Sequence, residues 1–167
     1  MIFVTVGTNP DMGFERFVKA MDELAATLEE RVVIQHGCSI YKPQYAEHFD
    51  FISGKQFEQF NQEARLVVSH AAAGAAIVAL RYRKPLVVVP RLKQFNEHID
   101  DHQLQLAAAL EAEKKAIVVH EPSANTLRTA IAQAMQLQSK PQGPNQLAQA
   151  LRRQLALWDS TSPERKG

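Results

Sequence analysis

A histidine and a glycine stand where an apolar run gives way to an alanine-rich helical pattern, in VVSHAAAGAAIVAL at residues 67–80. A helix that begins near Ala72 or Ala73 presents free backbone N–H groups and the positive end of its dipole, and both favour an anion. Gly74 permits close approach of a ligand, and His70 adds a ring nitrogen beside it. The pattern therefore predicts a phosphate-binding corner. The alternative is that the small residues only let the helix pack close to the sheet.

A second stretch whose residue types could carry out chemistry is RLKQFNEHIDDHQ, residues 91–103. His98, Asp101 and His102 are spaced so that one face of a helix carries all three side chains. Such a group suits a divalent metal in a hydrolase, whereas the alternative is a polar, solvated helix start. We expect no metal here, because no distant set of further ligands stands out. The sequence also lacks the motifs G-x-S-x-G, G-x-G-x-x-G and a Walker sequence, so the motifs leave the reaction open.

Alternating strand and helix patterns surround these stretches. Apolar runs rich in β-branched residues predict strands covered on both faces, at 2–6, 31–35, 49–52, 65–69, 85–89 and 115–119. Helical spacing of apolar residues runs from Phe14 to Leu28, and further helices are predicted at 56–63, 72–82, 97–112 and 123–137, the last with Ser123 as N-cap. The alternation predicts an α/β fold, in which right-handed crossovers build an open parallel sheet with helices on both faces.

In an open parallel sheet, ligands bind beyond the carboxyl ends of the strands. The loops expected at that edge span 7–10, 36–38, 70–74 and 90–96. Three of the four contain glycine, which suits a sharp turn or a close approach of backbone to ligand. We therefore expect these four loops to build the binding site.

Length and composition limit the class of protein. A chain of 167 residues suits one domain with a substantial core, and a net charge of +1 gives no electrostatic reason to expect a nucleic-acid partner. The single cysteine excludes an internal disulfide framework and suits a reducing compartment. No basic leader and no run near the ~20 apolar residues of a membrane span is present. We expect a cytoplasmic protein whose membrane association comes through a partner or an interfacial helix.

The C-terminal part departs from the alternating pattern. A polar Pro/Gly linker is predicted at 138–146, after a first domain at 1–137. The helix predicted at 147–158 carries a narrow apolar stripe, formed by Leu147, Leu151, Leu155 and Trp158. This helix either packs on its own domain or docks on a second chain, and an exposed stripe would favour self-association without that partner. Residues 159–167 are expected to be a disordered tail.

Three motifs in order resemble one family: VTVGT at 4–8, SHAAAGAAIVALRYRKPLVVVPR at 69–91 and EHIDDHQLQLA at 97–107. They resemble the C-terminal, donor-binding domain of family 28 glycosyltransferases, over about residues 1–137. The most similar form is the single-domain subunit of two-chain enzymes, in its bacterial exopolysaccharide and capsule branch. The resemblance implies a Rossmann-like fold, the C-terminal half of a GT-B enzyme. It also implies a UDP-sugar substrate, no cofactor and no metal requirement.

The resemblance further implies partners. A separate, membrane-attached chain would bind the acceptor, a lipid-diphosphate-linked saccharide, and would recruit this chain to the inner face of the membrane. The helix at 147–158 would then dock on that partner.

Donor contacts follow from the same resemblance. The implied contacts are Gly7, Thr8, His70, Ala73, Gly74 and Ala75 at the diphosphate, Gln35, Gly37, Phe51 and Ile52 near the uracil, and Asp101, His102 and Gln103 at the sugar hydroxyls, with Asn9 and Arg91 as further donor contacts.

The sequence also departs from the family pattern. Relatives usually read Ser-His-Ala-Gly-x-Gly-Ser, whereas this chain has Ala72 and Ala75 at a glycine and at the last serine. A glutamate that grips the ribose in many relatives is replaced by Val78. Losing the serine hydroxyl removes one phosphate contact, which weakens the binding free energy by about 1–2 kcal/mol. A non-catalytic nucleotide-sugar-binding or regulatory subunit therefore remains the alternative function.

The implied reaction is an inverting sugar transfer, which needs a base for the acceptor hydroxyl and stabilisation of the departing UDP. Helix N-termini and His70 would supply the stabilisation. The base is expected on the partner, with Glu97 and His98 as local fallback candidates. Arg91 could pair with the carboxylate of a UDP-glucuronate donor, although phosphate contact or simple solvation is favoured. The metal-dependent hydrolase is the third hypothesis.

Overall fold

The computed structural model describes residues 1–138, which form one sheet flanked by five α-helices. The strands are β1 (Ile2–Thr5), β2 (Val32–Gln35), β3 (Glu47–Phe49), β4 (Leu66–His70), β5 (Leu86–Val89) and β6 (Ile117–Val118). The helices are α1 (Glu15–Ala25), α2 (Gly54–Glu63), α3 (Ala73–Arg81), α4 (His102–Ala112) and α5 (Ala124–Gln138), with a 3-10 turn at Lys93–Phe95. Most of the predicted linker, the helix with Leu147, Leu151, Leu155 and Trp158, and the predicted tail lie outside the described residues.

All strand pairs are parallel, and their order is β3-β2-β1-β4-β5-β6. The first strand lies inside the sheet, because Ile2 is in register with Val32 on one side and with Leu66 on the other. The chain therefore fills the sheet in one direction from β1 to β3 and in the other from β4 to β6. The predicted α/β class with an open parallel sheet is confirmed.

The strands bury alternate residues in two cores. On β1, Ile2 and Val4 belong to the core that also contains Phe17 of α1 and Leu127 of α5. Phe3, between them, belongs to the core formed with α2, α3 and α4. This alternation follows from the two-residue period of a strand, and it favours runs of consecutive apolar residues in a strand covered on both sides. The predicted helices on both faces are confirmed.

The third strand lies earlier than predicted. The apolar run at 49–52 indicates a strand, but β3 occupies Glu47–Phe49. It is an edge strand with Glu47 and His48 exposed, so its sequence carries little apolar signal. Backbone bonds continue past it, since the N–H of Gly37 donates to the carbonyl oxygen of Asp50 at 2.9 Å.

Helix α4 begins five residues later than predicted, at His102 rather than at 97. Residues 97–101 are not helical, and the carboxylate of Asp100 accepts the N–H of His102 at 3.0 Å, which favours a helix start at that residue. The start of α5 agrees with its predicted cap, because the hydroxyl of Ser123 accepts the N–H of Thr126 at 3.1 Å.

The loop between β2 and β3 is held by one buried carboxylate. Asp22 of α1 has no exposed surface. It accepts the hydroxyl of Tyr41 at 2.8 Å and the backbone N–H groups of Gln44, Tyr45 and Ala46 at 2.8–3.0 Å. Burial alone would raise the pKa of Asp22, but these donors outweigh it and hold the pKa below the ordinary value. The ionised carboxylate thus fixes the course of a loop that has little regular structure.

Replacing Asp22 by asparagine is expected to lower the free energy of unfolding by about 2–4 kcal/mol. The amide offers one acceptor oxygen where the carboxylate offers two, so buried N–H groups lose their partner. Urea denaturation at pH 7 measures the change. The matched control is Glu23→Gln, which removes the same charge from the next, exposed residue. Equal midpoints for the two variants would contradict this role of Asp22.

Candidate functional site

The carboxyl ends of β1 and β4 lie side by side at the point where the strand order reverses. In sheets of this kind, the crevice outside this point is where ligands bind. The four loops singled out by sequence follow β1, β2, β4 and β5, which are all parallel, so they share this edge.

Gly7 and His70 approach each other closely across this crevice. Gly7 has a φ of +82°, and a Cβ atom built on it would lie 2.5 Å from Nε2 and 2.7 Å from Cε1 of His70. Any other residue at this position would therefore collide with the imidazole and strain its own backbone. The Nδ1 atom of His70 is buried and has no hydrogen-bond partner among the described residues. Packing against the β1 loop therefore contributes to holding the imidazole.

The imidazole of His70 is neutral at pH 7. Burial and the positive charge of Arg91 lower the pKa of His70 to about 3. A neutral imidazole carries one N–H donor and one acceptor nitrogen. Toward a phosphate oxygen it therefore acts as a hydrogen-bond donor and not as a counter-charge.

This shift in pKa makes folding stability depend on pH. Between an ordinary histidine pKa of 6.5 and about 3, the unfolded chain binds a proton that the folded chain does not, so stability falls as the pH falls. From pH 7 to pH 4.5, we expect His70 to account for a loss of about 2 kcal/mol. Urea denaturation across this range should show a shallower pH dependence for His70→Gln. The remaining slope would come partly from His36, whose pKa is also lowered by burial. Identical slopes in both proteins would contradict the prediction.

Helix α3 begins at Ala73 without a side-chain cap. Ala72 at the N-cap position is extended, with φ −115° and ψ 142°, and makes no side-chain hydrogen bond to the first turn. A Cβ atom built on Gly74 would meet no atom within 4 Å. Within residues 1–138, no side chain caps the first-turn N–H groups of Ala73, Gly74 and Ala75, which lie next to His70, as an anion site requires.

Gln35, expected near the uracil, lies inside the protein and ties two loops together. Its Oε1 atom accepts the hydroxyl of Thr5 at 2.6 Å. Its Nε2 atom donates to the carbonyl oxygens of Gly7 at 2.8 Å and of Asp50 at 3.0 Å. Both amide hydrogens are thus used, and Gln35 positions the β1 loop rather than offering its side chain to a ligand.

Arg91 does not reach the ligand edge, which corrects the expectation of a donor contact there. The residue is 2% exposed. Its guanidinium donates to the carbonyl oxygens of Met12, Gly13, Glu97 and Val6 at 2.7–3.1 Å. With these bonds made in the interior, the side chain is unavailable to a glucuronate carboxylate. Arg91 instead joins the β1 and β5 loops.

Glu97 is also committed inside the protein, so its assignment as a fallback base is wrong. Its carboxylate accepts two hydrogen bonds from Arg16, at 2.7 Å and 3.0 Å, and one from the N–H of Leu92 at 3.0 Å. Only 6% of the residue is exposed. The carboxylate is therefore committed to these partners in the interior and does not face an acceptor hydroxyl.

The predicted face of His98, Asp101 and His102 does not form, because only His102 belongs to α4. The carboxylate between the two histidines is Asp100, which contacts Nδ1 of both rings. Within residues 1–138, no group of three or more His, Cys, Asp or Glu side chains is placed to hold a metal ion. The described part of the chain therefore offers no support for the hydrolase hypothesis.

The remaining predicted residues lie at the same edge in varied settings. Thr8 is exposed, and the side chain of Asn9 accepts the N–H of Asp11 at 2.9 Å. Gly37 has a φ of +57°, and a Cβ built on it would lie 3.2 Å from the carbonyl oxygen of Gly7. Phe51 and Ile52 follow β3.

In the last predicted group, Asp101 and His102 are exposed and Gln103 is buried. The side-chain oxygen of Gln103 accepts the N–H of Arg91 at 3.0 Å. The donor contacts predicted at these positions stay predictions.

Two residues that shape this edge have no place among the sequence predictions. Arg16 donates to Glu97 and to the carbonyl oxygens of Pro90 and His120. Its partners lie far along the chain, so no local pattern could indicate them. Asp100 had a usable signal, since an aspartate two residues before a helix start can accept the helix N–H, as it does here from His102 at 3.0 Å.

In the described part, residues 1–138, no helix combines the length and apolar character needed to span a membrane.

Comparison with known proteins identifies the family. The sequence matches the glycosyltransferase family 28 C-terminal domain over residues 1–156. The UDP-N-acetylglucosamine transferase subunit ALG13 of Homo sapiens is 34% identical over 120 residues, which make up 67% of this chain and 10% of that protein. The chain thus spans about a tenth of the length of this relative.

Solved structures show the same fold. The glycosyltransferase of kitacinnamycin has a TM-score of 0.61 at 18% identity, over 98% of this chain and 44% of that one. The calicheamicin glycosyltransferase CalG4 has a TM-score of 0.61 at 17% identity, over 94% and 43%. Os79 from O. sativa, in complex with UDP, has a TM-score of 0.56 at 14% identity, over 93% and 35%.

These neighbours confirm the predicted Rossmann-like fold of the GT-B type. The family match covers most of the sequence and all three motifs that suggested it. The chain belongs to glycosyltransferase family 28 and matches its C-terminal domain over residues 1–156.

Proposed function

We propose that this chain is the donor-binding subunit of a two-chain inverting glycosyltransferase, which moves a sugar from a UDP-sugar to a lipid-diphosphate-linked saccharide. The observation that carries the proposal is the corner at β1 and β4. There the uncapped N–H groups of α3 and the neutral imidazole of His70 converge beside Gly7. Helix N-termini of this kind bind phosphate groups through backbone N–H donors and the helix dipole.

A uridine diphosphate donor is supported by two comparisons. The human relative is named as a UDP-N-acetylglucosamine transferase subunit, and Os79 was solved with UDP. The proposed site uses no metal, because helix N–H groups and His70 face the diphosphate.

A separate acceptor-binding partner is supported by the comparison with the human relative, which is named as a subunit of a transferase. We propose that the partner is membrane-attached and recruits this otherwise cytoplasmic chain to the inner face of the membrane. Exopolysaccharide or capsule assembly is the proposed setting, and the predicted stripe of Leu147, Leu151, Leu155 and Trp158 is the proposed docking element.

The proposed chemistry assigns a part to each group at the corner. The acceptor oxygen attacks the anomeric carbon, and UDP departs with the electrons of the broken bond. The first-turn N–H groups of Ala73, Gly74 and Ala75, with an N–H from His70, stabilise the charge that grows on the departing phosphate. Gln35 and Arg91 act indirectly, because they hold the loops that place Gly7 against His70.

A non-catalytic, nucleotide-sugar-binding subunit is the second candidate. It is favoured by Ala72, Ala75 and Val78, which offer no polar side chain where relatives have glycine, serine and glutamate. Sugar transfer by the wild-type pair that is lost with His70→Ala would exclude it.

Calorimetric titration with UDP and several UDP-sugars, in the presence of EDTA, tests the proposal. We expect saturable binding that His70→Ala weakens at least tenfold, through loss of a hydrogen bond to a charged group. If this chain alone binds nothing, the titration is repeated on the co-expressed pair. Absence of binding there as well would overturn the proposal.

Replacing Gly74 by valine is expected to weaken UDP binding at least tenfold, since the new side chain occupies the approach to the helix N-terminus. The fold should be unaffected, because a Cβ at this position meets no atom within 4 Å. Calorimetry and urea denaturation separate the two effects. The matched control is Gly54→Val at the start of α2, where a Cβ also meets nothing. Unchanged UDP affinity in Gly74→Val would place the diphosphate elsewhere.

A further inference from the structure

The residues that follow β5 form one side of the donor crevice. This segment, residues 90–103, is called the β5 wall below, and bonds within it make it a single unit. The N–H of Arg91 donates to the side-chain oxygen of Gln103 at 3.0 Å, which joins the start of the loop to α4. The N–H of Leu92 donates to the carboxylate of Glu97 at 3.0 Å, and the N–H of Glu97 donates back to the carbonyl oxygen of Leu92 at 3.3 Å. The position of the wall therefore depends on what holds this unit from outside.

Arg16 of α1 holds the β5 wall at both ends of its loop. Its guanidinium donates to the two carboxylate oxygens of Glu97, at 2.7 Å and 3.0 Å, and to the carbonyl oxygen of Pro90 at 2.9 Å. Another bond, at 2.7 Å, reaches the carbonyl oxygen of His120 beyond β6. A fork of two bonds between a guanidinium and a carboxylate fixes the angle between the partners as well as their distance. Arg16 thus sets where the wall stands relative to α1 and the sheet.

The diphosphate corner is held by different bonds. The guanidinium of Arg91 donates to carbonyl oxygens of the β1 loop and its neighbours, those of Val6, Met12 and Gly13, at 2.7–3.1 Å. Gln35 donates to the carbonyl oxygen of Gly7 at 2.8 Å. None of these bonds involves Arg16 or the carboxylate of Glu97. Loss of the Arg16–Glu97 pair should therefore release the wall and leave the corner in place.

The two sides of the corner differ in their chemistry. On the side of β2 and β3, the half-exposed ring of Phe51 offers an apolar face, which suits stacking of a base. On the side of β5, the wall carries the exposed polar residues Asp101 and His102. Sugar hydroxyls are oriented by polar groups of this kind. A UDP-sugar whose diphosphate lies at the corner would accordingly place its sugar against the β5 wall.

We propose that Arg16 and Glu97 are positioning residues, which hold the β5 wall ready for the donor sugar and so set the affinity for the sugar but not for the diphosphate. The inference rests on the proposed function. Both residues act through the wall and not by contact with the donor. A wall that is fixed before the ligand arrives avoids the cost of ordering it on binding. Loss of the pair should therefore weaken binding of the sugar and spare binding of UDP.

Calorimetry with UDP and with UDP-glucose, UDP-galactose, UDP-glucuronate and UDP-N-acetylglucosamine tests the inference. The quantity compared is the ratio of the Kd of the tightest-bound UDP-sugar to the Kd of UDP. In Arg16→Gln and in Glu97→Gln we expect this ratio to rise about fivefold or more, with the Kd of UDP within about twofold of wild type. Arg16→Lys keeps the charge without the fork, so it should raise the ratio less. It also carries the test if Arg16→Gln does not fold.

The matched control is Arg31→Gln. Arg31 donates to Glu47 through the same kind of fork, at 2.8 Å and 3.0 Å, but at the start of β2 and β3, on the opposite edge of the sheet. Its ratio should equal that of the wild type. The double variant of Arg16→Gln with Glu97→Gln should raise the ratio no more than either single change, because the two residues act as one pair.

Hydrogen exchange of the ligand-free chain measures the position of the wall directly. In Glu97→Gln we expect faster exchange in peptides that cover residues 91–103, since the N–H of Leu92 exchanges a charged acceptor for a weaker neutral one. Peptides that cover residues 2–8 should exchange as in the wild type. Faster exchange in both segments would contradict the separate anchoring of the wall and the corner.

A wild-type ratio in both Gln variants, or an equal loss of affinity for UDP and UDP-sugar, would overturn the inference while the proposed function stands. If this chain alone binds nothing, the same titrations are made on the co-expressed pair. Absence of saturable binding by the wild-type pair would overturn the proposed function and the inference with it.

Discussion

Replacing Arg91 by leucine is expected to lower the free energy of unfolding by about 3–5 kcal/mol. Its buried guanidinium donates to the carbonyl oxygens of Val6, Met12, Gly13 and Glu97. Leucine fills part of the volume but donates nothing, and each buried acceptor left without a partner costs about 1–3 kcal/mol. Urea denaturation at pH 7 measures the loss.

The matched control is Arg81→Leu, which also removes a guanidinium. Arg81 is about half exposed and pairs with the exposed Glu58, so its loss should cost less than about 1 kcal/mol. Similar costs at both positions would contradict the structural role of Arg91. Donor preference gives a second check, since Arg91→Lys should weaken UDP-glucuronate and UDP-glucose equally. A selective loss of UDP-glucuronate binding would instead indicate that Arg91 contacts the donor carboxylate.

Replacing Gly7 by valine is expected to reduce UDP affinity at least a hundredfold, about 3 kcal/mol, and to destabilise the fold as well. A Cβ at this position would lie 2.5 Å from Nε2 of His70, and the φ of +82° is unfavourable for a β-branched residue. The imidazole must move away from the crevice or the β1 loop must shift, and either change separates the diphosphate contacts. Calorimetry with UDP measures the effect.

A double-mutant cycle separates the collision from the backbone strain. Gly7→Ala alone should be destabilising, and adding His70→Ala should recover part of the stability, because the ring that the methyl group strikes is gone. The strain from the positive φ would remain in both. Strictly additive effects on the free energy of unfolding would mean that residue 7 and the ring of His70 are not in contact.

Local features of this protein could be predicted from its sequence. The strand that ends at His70 and the helix that starts beside Gly74 lie in one continuous stretch of sequence, and the buried strands of a parallel sheet form short apolar runs. The family could also be predicted from the sequence, because each of its three motifs is a continuous stretch. The edge strand β3 was misplaced because half-exposed strands lack that signal.

The roles of charged residues could not be predicted, since they depend on contacts between distant parts of the chain. The guanidinium of Arg91 binds carbonyl oxygens of the β1 loop, and Glu97 is paired with Arg16 of α1. In sequence, both look like available ligands on a polar loop. Asp101 rather than Asp100 was predicted to lie with His98 and His102, because the helix was expected to start at 97.

The order of the strands also bears on how the chain folds during synthesis. β1 is made first and lies inside the sheet, so every later strand adds outward from a centre that already exists. The core beneath α1 nevertheless contains Leu127, Ala130 and Ile131 of α5. A nascent chain that has completed all six strands therefore still exposes the part of this core that α5 covers. A chain that stalls before α5 would leave that apolar surface open to chaperones and to other nascent chains.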